Sequence, residues 1–272
     1  MNVDRRSRVV VWLDPTAPQE ASLPALACLG AAAEILGLFV EDIDLLDLSR
    51  LSVAREISFE GTAARQMERG RTEQQFRVHG ARMRNLFEEA ARKLSARHSF
   101  RVARGVLSAE LLRVAADYDT LVLTHSRRQF GPRLTLRTRL GELLTSGPRT
   151  LVIVQDRWRT GQRIAALFDG SPASELALRT AAAIARSEGV GLSVWLFGER
   201  NGELAAQVAE TLDDSASYSL RPIAAADNDA LVRAADHDNP RVLVLPAGEP
   251  AETRQTVTEL LDRASCSVIV VR

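Results

Sequence analysis

The chain opens in the same way twice, and this repeat limits its possible folds more than any other feature of the sequence. Each opening is a short apolar run that ends in Asp, a turn residue and a hydroxyl residue, before an Ala-rich helical pattern. The two copies are VVVWLDPT at residues 9–16 and IAALFDGS at residues 164–171. Both halves also end in a similar apolar run, LVIV at 151–154 and VIVV at 268–271. The sequence therefore indicates two copies of one α/β unit.

The composition fits two globular domains of ordinary size. The chain has 272 residues, of which 46% are hydrophobic and 26% charged, so each half is long enough to bury a core. The most apolar stretch, residues 23–40, contains Pro24 and Glu34 and fits a helix and a buried strand better than a membrane span. The start, residues 1–8, is polar and lacks the pattern of a signal peptide. We expect no membrane insertion and a cytoplasmic location.

The formal net charge is zero, but the two halves carry opposite charge. Residues 1–160 contain 25 basic and 19 acidic side chains, whereas residues 161–272 contain 10 and 16. The basic excess is concentrated in residues 61–104, with 11 basic and 4 acidic side chains. A solvated helix face together with attraction between the halves explains this pattern most simply. Because aromatic residues do not interleave with the arginines and no helix-turn-helix or RNA-binding motif is present, nucleic acid is not expected as a partner.

Strands alternate with helices along the whole sequence, which favours parallel pairing and right-handed crossovers. In the first half, the patterns predict a helix over about 18–36 and a long amphipathic helix over about 73–97. In the second half only a short helix, 201–212, stands at the place of the long one. We therefore predict a first domain over residues 1–155 and a trimmed second domain over 162–272. The short linker between them favours halves that pack on each other.

Several motifs resemble those of the universal stress protein family. The run DGSPAS at 169–174 looks like the opening of a universal stress protein domain, and ASCSVIVV at 264–271 is similar to the family's last helix and strand. Arg104-Gly105 and DTLVL at 119–123 match the middle of such a domain. The resemblance covers nearly the whole chain as two tandem domains. It implies an α/β fold of two tandem Rossmann-like (adenine nucleotide alpha hydrolase-like) domains, each a five-stranded parallel sheet of order 3-2-1-4-5 flanked by helices.

The resemblance also implies where a ligand would bind. In sheets of this topology the crevice lies at the carboxyl ends of strands 1 and 4, where the strand order reverses. The residues expected there are Asp14 and Thr16 beside the loop over 124–139, and Asp169, Gly170 and Ser171 beside the loop over 246–250. In ATP-binding members the first-strand Asp lies near the nucleotide, and the fourth strand is followed by Gly-x2-Gly-x9-Gly-(Ser/Thr). The backbone N–H groups of that loop surround phosphate oxygens.

The loop of the first half departs from this pattern. Gly131 and Gly141 have the nine-residue gap, but Arg128 stands at the earlier glycine position and Glu142 at the hydroxyl position. An alternative gapping, counted back from the last strand, puts Thr138 at the hydroxyl position and an arginine at the glycine position. Neither alignment rebuilds the loop.

The loop of the second half departs further, because it reads PAGEP at 246–250. It has a single glycine, Gly248, two prolines that cannot donate a hydrogen bond, a carboxylate, and no later glycine before the helix. We therefore expect no cofactor, and in particular no ATP bound in the family's manner.

The first half keeps one option for a ligand. Five arginines crowd its predicted crevice, and guanidinium groups can bind phosphate without a glycine-rich loop. They are Arg127, Arg128, Arg133, Arg137 and Arg139. With Asp14, Thr16 and His125 they could hold an adenine nucleotide or another anion. Alternatively, these arginines face solvent or pair with acidic residues of the second half such as Glu249 and Glu252. The candidate ligand-binding residues are Asp14, Thr16, His125, Arg127, Arg128, Gly131, Thr138, Gly141, Asp169, Gly170, Ser171 and Gly248.

No sequence motif indicates catalysis. The histidines lack metal-ligand spacing, and no GxSxG, P-loop or GxGxxG motif is present, so we do not expect an enzyme. The two cysteines, Cys28 and Cys266, have no partner spacing and are expected to be reduced, buried thiols.

Three functional interpretations remain open. The first is a tandem universal-stress-like regulatory protein that binds an unknown protein partner or pairs with itself, within the chain or as a homodimer. Family members commonly dimerise through their last strands, here 150–154 or 268–271. The second is binding of a nucleotide or another anion in the first half. The third is a soluble regulator of a membrane transporter, because similar tandem domains occur as cytoplasmic parts of transporters.

Overall fold

The computed structural model describes residues 7–15, 34–48, 55–57, 64–66, 69–94, 96–125, 136–155, 163–198, 200–212, 217–223 and 228–272. The elements of the first half are β1 (Arg8–Trp12), β2 (Glu34–Asp42), α1 (Ile43–Leu48), β3 (Arg55–Ile57), β4 (Ala64–Gln66), α2 (Arg69–Arg92), β5 (Arg97–Gly105), α3 (Leu107–Ala115), β6 (Thr120–His125), α4 (Leu136–Ser146) and β7 (Thr150–Gln155). Those of the second half are β8 (Ile164–Phe168), α5 (Pro172–Glu188), β9 (Leu192–Phe197), α6 (Asn201–Thr211), β10 (Tyr218–Ile223), α7 (Asn228–Asp238), β11 (Val242–Pro246), α8 (Pro250–Arg263) and β12 (Ser267–Val271).

A ten-stranded sheet runs through both halves, in the order β10-β9-β8-β11-β12-β7-β6-β1-β2-β5. Each half contributes five strands, whose order from the sheet edge inward is third, second, first, fourth and fifth along that half. All neighbours are parallel except β12 and β7, which pair antiparallel where the halves meet. The predicted α/β fold class is confirmed. The hairpin of β3 and β4 forms a separate small sheet.

The eight inner strands of the large sheet are mostly apolar because helices cover both faces of the sheet, whereas edge strands β5 and β10 are mostly exposed. One core contains Val11 and Phe87 together with the apolar sides of α2, α5 and α6. The other core contains Val10 and Leu111 together with the apolar sides of α3, α4, α7 and α8. Successive residues of β1 thus point into opposite cores, as the two-residue period of a strand requires.

An approximate twofold axis relates the two halves. The strand register links Val11, Val122 and Val152 in the first half. The equivalent residues of the second half are Ala166, Val244 and Ile269. Val152 and Ile269 therefore hold equivalent positions, and they pair directly across the β7–β12 junction. The last strands, which we named as the possible surface of a homodimer, pair with each other within one chain, and the halves therefore pack on each other as the short linker suggested.

Two predicted helix boundaries are wrong. The first predicted helix, 18–36, lies mostly outside the described residues, but its last three residues begin β2. Ile35 and Leu36 are buried in that strand because they pair with β1. The long helix is Arg69–Arg92 rather than 73–97, since pairing with β2 draws Arg97 into β5. Cys266 is a buried free thiol, as expected, whereas Cys28 lies outside the described residues.

Candidate functional site

The strand order reverses at two places, between β1 and β6 and between β8 and β11. At the first of these places the carboxyl ends of β1 and β6 lie side by side, because Val11 pairs with Val122. Asp14 follows β1 by two residues, and Thr124 lies two residues beyond Val122. Both side chains are buried. The carboxyl group of Asp14 and the hydroxyl group of Thr124 thus lie at the place where this topology predicts a crevice.

The hydroxyl of Thr124 is unusual among the described residues because its Oγ1 is buried and has no hydrogen-bond partner there. Leaving such a group unsatisfied costs about 1–3 kcal/mol, and native structures rarely do so without a reason. The sequence pointed to the neighbouring His125 and not to Thr124. The available signal was a hydroxyl residue directly after the apolar run LVL at 121–123, at the carboxyl end of the predicted fourth strand.

Several predicted ligand residues of the first half lie outside the described part of the chain. These are Thr16, Arg127, Arg128 and Gly131. His125 ends β6 and pairs in register with Gln155, with its side chain outside the described set. Thr138 lies in the first turn of α4.

Gly141 lies in the second turn of α4, away from the helix N-terminus where a phosphate would bind. A Cβ on Gly141 would lie 3.3 Å from Cδ of Arg254 in α8. The missing side chain therefore allows α4 and α8 to approach each other across the junction of the halves. Packing accounts for this glycine without any ligand.

In the second half, Asp169, Gly170 and Ser171 form the turn from β8 into α5. The Ser171 N–H donates to Oδ1 of Asp169 at 2.8 Å. The Ser174 N–H donates to Oγ of Ser171 at 3.2 Å, which makes Ser171 the N-cap of the helix. Pro172 follows at the first helical position, where its missing N–H costs nothing. The side chains of Asp169 and Ser171 therefore accept hydrogen bonds from backbone N–H groups at the start of α5.

Gly170 is required by the backbone and is covered by a neighbouring helix. Its φ is +82°, a conformation that other residues rarely adopt. A Cβ there would lie 2.9 Å from Oε1 of Gln207 and 3.0 Å from Cδ2 of Leu204. Both neighbours belong to α6, so this helix lies directly against the turn.

The turn after β11 uses its own backbone donors. The Gly248 N–H donates to Oγ1 of Thr253 at 3.0 Å, and the Ala247 N–H donates to the carbonyl of Val271 at 2.8 Å. Helix α8 then begins with Pro250, while the Glu249 side chain makes no capping hydrogen bond. Of the five residues at 246–250, two are prolines without an N–H and two have their N–H bonded within the protein, and the fifth, Glu249, carries a carboxylate.

Two kinds of feature are absent from the described residues. Within them, no group of three or more His, Cys, Asp or Glu side chains has the arrangement of a metal site. No helix of that same part of the chain combines the length and apolar character needed to cross a membrane.

Solved structures share this architecture along nearly the whole chain. A universal stress protein from Archaeoglobus fulgidus superposes with a TM-score of 0.70 at 13% identity, over 98% of this chain and 96% of that one. A putative universal stress protein from Pseudomonas aeruginosa gives 0.57 at 16% identity, over 98% and 92%. The cytoplasmic domain of a prokaryotic cation chloride cotransporter gives 0.51 at 12% identity, over 97% and 95%.

No protein-family model and no curated protein matches the sequence. The three-dimensional likeness extends over both halves, and it confirms the resemblance that the DGSPAS and ASCSVIVV motifs indicated. The chain has the fold of a tandem universal stress protein.

Proposed function

We propose that this chain is a cytoplasmic regulatory protein of the stress response, in the manner of tandem universal stress proteins, and that it acts by binding a partner rather than by catalysis. We further propose that it does not bind ATP as the nucleotide-binding members of that family do. The observation that carries this proposal is the turn after β11, where the Gly248 N–H is already bonded to Thr253.

The physical argument concerns competition for hydrogen-bond donors. A triphosphate binds to a loop of this kind because several backbone N–H groups point at it without other partners. At 246–250 the two prolines have no N–H, and the N–H groups of Ala247 and Gly248 are bonded within the protein. A phosphate would have to displace these bonds and would meet the exposed Glu249 carboxylate. The loop therefore disfavours ATP both by hydrogen bonding and by charge.

The first half supports the same proposal through its sequence and helix position. The glycine spacing fails at Arg128 and Glu142. Gly141 lies inside α4 against Arg254 instead of at the start of a helix. No glycine of the described residues therefore stands where the third glycine of the family's loop would be.

A nucleotide screen tests the proposal. We expect ATP, ADP and cyclic nucleotides to leave the melting temperature of the intact chain unchanged. The same screen on Arg127→Ala and Arg128→Ala variants separates a specific effect from a nonspecific one. Stabilisation by ATP that both variants abolish would contradict the proposal and favour a nucleotide site in the first half.

The nucleotide or anion site in the first half is a second candidate, favoured by one observation. Thr124 presents a buried hydroxyl without a described partner beside the strand that leads to Asp14. A bound anion could accept a hydrogen bond from it, with arginines of the following loop supplying charge. A Thr124→Val variant distinguishes the candidates. If an anion binds at this site, the substitution should weaken its binding; if none binds there, the substitution should leave the response to added anions unchanged.

Regulation of a membrane transporter is a third candidate. The likeness to the cytoplasmic domain of a cation chloride cotransporter covers 97% of this chain, which shows that this fold also serves within such proteins. Recovery of a transporter after crosslinking of intact cells and affinity purification of the chain would favour this candidate. Recovery of soluble proteins alone would count against it.

A further inference from the structure

The two edges of the ten-stranded sheet differ in how open they are to another strand. Edge strand β10 has six residues, includes Pro222, and has Arg221 bonded to Asp238 at 2.9 Å. Proline and short length are common ways to block strand addition. Edge strand β5 has nine residues and no proline, and the described part of the chain makes no hydrogen bond to its outer side. We propose that the outer edge of β5 binds an extended acidic segment of a partner protein as an eleventh strand.

The charge of this edge specifies the partner. Strand β5 contains Arg97, Arg101 and Arg104 but no carboxylate. Arg104 is paired with Glu41 at 2.7 Å. Arg97 and Arg101 are exposed and have no ion pair within the described residues. The carboxylate nearest in register to Arg97 is Glu34, which is bonded to Arg8.

Helix α2 adds positive charge on the other face of this edge. Arg84 lies over the Phe100 ring, with Cζ 5.1 Å from the ring centroid. Arg77 and Arg82 of the same helix are exposed, and no ion pair neutralises them among the described residues. The nearby Glu88 and Glu89 already lie within ion-pair distance of Arg92 and Lys93; these four form the last group of charges on the helix.

The acidic half of the chain is too distant to neutralise this surface. Five strand spacings separate β5 from β12, the nearest strand of the second half, which corresponds to about 24 Å. Charges in solution are screened over about 8 Å at physiological salt. Attraction between the halves, which the sequence suggested as an explanation of the basic excess, therefore does not account for it at β5.

The side chains of β5 also define the pattern of the incoming strand. Arg97 and Arg101 lie on one face of the sheet, where Arg97 is in register with Glu34 and Arg101 with the buried Leu38. Val102 lies on the opposite face and is 45% exposed. Carboxylates on one face of the partner would meet the arginines, and apolar residues on its other face would cover Val102. An alternation of Glu and Val satisfies both requirements.

The same charges argue against a second copy of this chain as the occupant. Two β5 strands paired antiparallel would bring six arginines together without any carboxylate in either strand. Like charges opposite each other destabilise strand pairs. An acidic strand removes that repulsion and gains attraction instead.

This inference rests on the proposed function, since it names a surface through which a partner would bind, but its test is separate. The probe is a fluorescein-labelled eight-residue peptide of alternating Glu and Val, titrated with the intact chain and followed by anisotropy. We expect saturable binding that weakens about tenfold or more in Arg101→Glu. Arg84→Glu should weaken it in the same direction. Arg179→Glu changes an exposed arginine of α5 far from β5 and should have no effect.

A second peptide tests strand pairing itself. N-methylation of two adjacent central residues keeps the charge but blocks backbone donors on both edges of the peptide, so it should abolish binding. The inference would be overturned if the methylated peptide bound equally well, or if the unmethylated peptide did not bind at all. It would also be overturned if self-association of the chain through β5 displaced the peptide. Binding to phosphatidylserine vesicles without binding to the peptide would overturn it as well. If ATP stabilises the chain while the peptide still binds β5, the proposed function fails and this inference stands.

Discussion

Gln155 and Arg272 occupy equivalent positions in the two halves, and each donates hydrogen bonds to the end of the other half's last helix. Each lies three residues beyond the paired Val152 and Ile269. Nε2 of Gln155 donates to the carbonyl of Ala264 at 3.0 Å, after the end of α8. The Arg272 guanidinium donates to the carbonyls of Thr145, Gly147 and Pro148 after and at the end of α4. The terminal carbonyls of two helices are thus satisfied across the junction.

Replacing Gln155 should destabilise the junction from one side. Gln155→Leu keeps the size of this buried side chain but removes the amide that donates to the carbonyls of Leu261 and Ala264. We expect a loss of about 1–3 kcal/mol in the free energy of unfolding, measured by urea denaturation. The control is Gln255→Leu, at an exposed position of α8, which should change stability by less than about 0.5 kcal/mol. Equal effects of the two substitutions would contradict the assigned role of Gln155.

Replacing Arg272 tests the other side of the junction. Burial lowers the pKa of its guanidinium, but the group stays charged at neutral pH, and Arg272→Met removes donors from three carbonyls. We expect a loss of about 1–3 kcal/mol. Because Gln155 and Arg272 lie at opposite ends of the β7–β12 pair, the double variant should show the sum of the two losses to within about 0.5 kcal/mol. If the double variant were as stable as the less stable of the two single variants, the two ends of the strand pair would not be independent.

The alternation of strands and helices was predictable from the sequence because the hydrophobic period is a local property. The union of the halves into one sheet was not. The strands at 150–154 and 268–271 are both apolar, and nothing in their sequence tells whether the partner lies in the same chain or in another. Likewise, β2 begins at Glu34 because pairing with β1 is stronger than the helical tendency of the preceding alanines. Such choices depend on tertiary contacts.

The candidate site was predictable where the repeat marked it and not elsewhere. Asp14 and Asp169 lie at the strand ends that the duplicated opening indicated. Thr124 was missed, because the missing partner of a threonine hydroxyl becomes visible only when its surroundings are packed. Gly141 fitted a spacing motif, but its contact with Arg254 arises from a helix of the other half. Spacing alone does not separate a ligand-binding glycine from a packing one.

The turn after β11 should be stabilised by its internal hydrogen bond. Thr253→Val removes the acceptor of the Gly248 N–H while keeping the shape of this buried side chain. We expect a loss of about 1 kcal/mol in unfolding free energy and no gain of ATP affinity, since the prolines and Glu249 remain. Thr258→Val, on the same helix, is the matched control. A Thr253→Val chain that binds ATP would show that this one hydrogen bond excludes the nucleotide.

The ion pair between α7 and α8 should be visible in a titration. The Arg263 guanidinium hydrogen-bonds to Asp229 and holds the pKa of that carboxyl below its usual value of 3.8. Because the pKa of Asp229 is lower in the folded state, the pair stabilises the fold at pH values above the pKa of Asp229 in the unfolded chain. This stabilisation is lost as the pH falls through the pKa of Asp229 in the folded chain. NMR detection of the Asp229 carboxyl should give a depressed midpoint that rises in Arg263→Gln. High salt should reduce the shift, since both groups are exposed. An unchanged midpoint in Arg263→Gln would rule out this cause.

Native mass spectrometry of the intact chain in MgATP shows whether either crevice of this tandem fold binds a triphosphate. We predict the mass of the chain alone and no saturable adduct at nucleotide concentrations up to about 1 mM. This concentration would half fill a site with a dissociation constant of about 1 mM. A stoichiometric ATP adduct that Asp14→Asn removes would contradict the account.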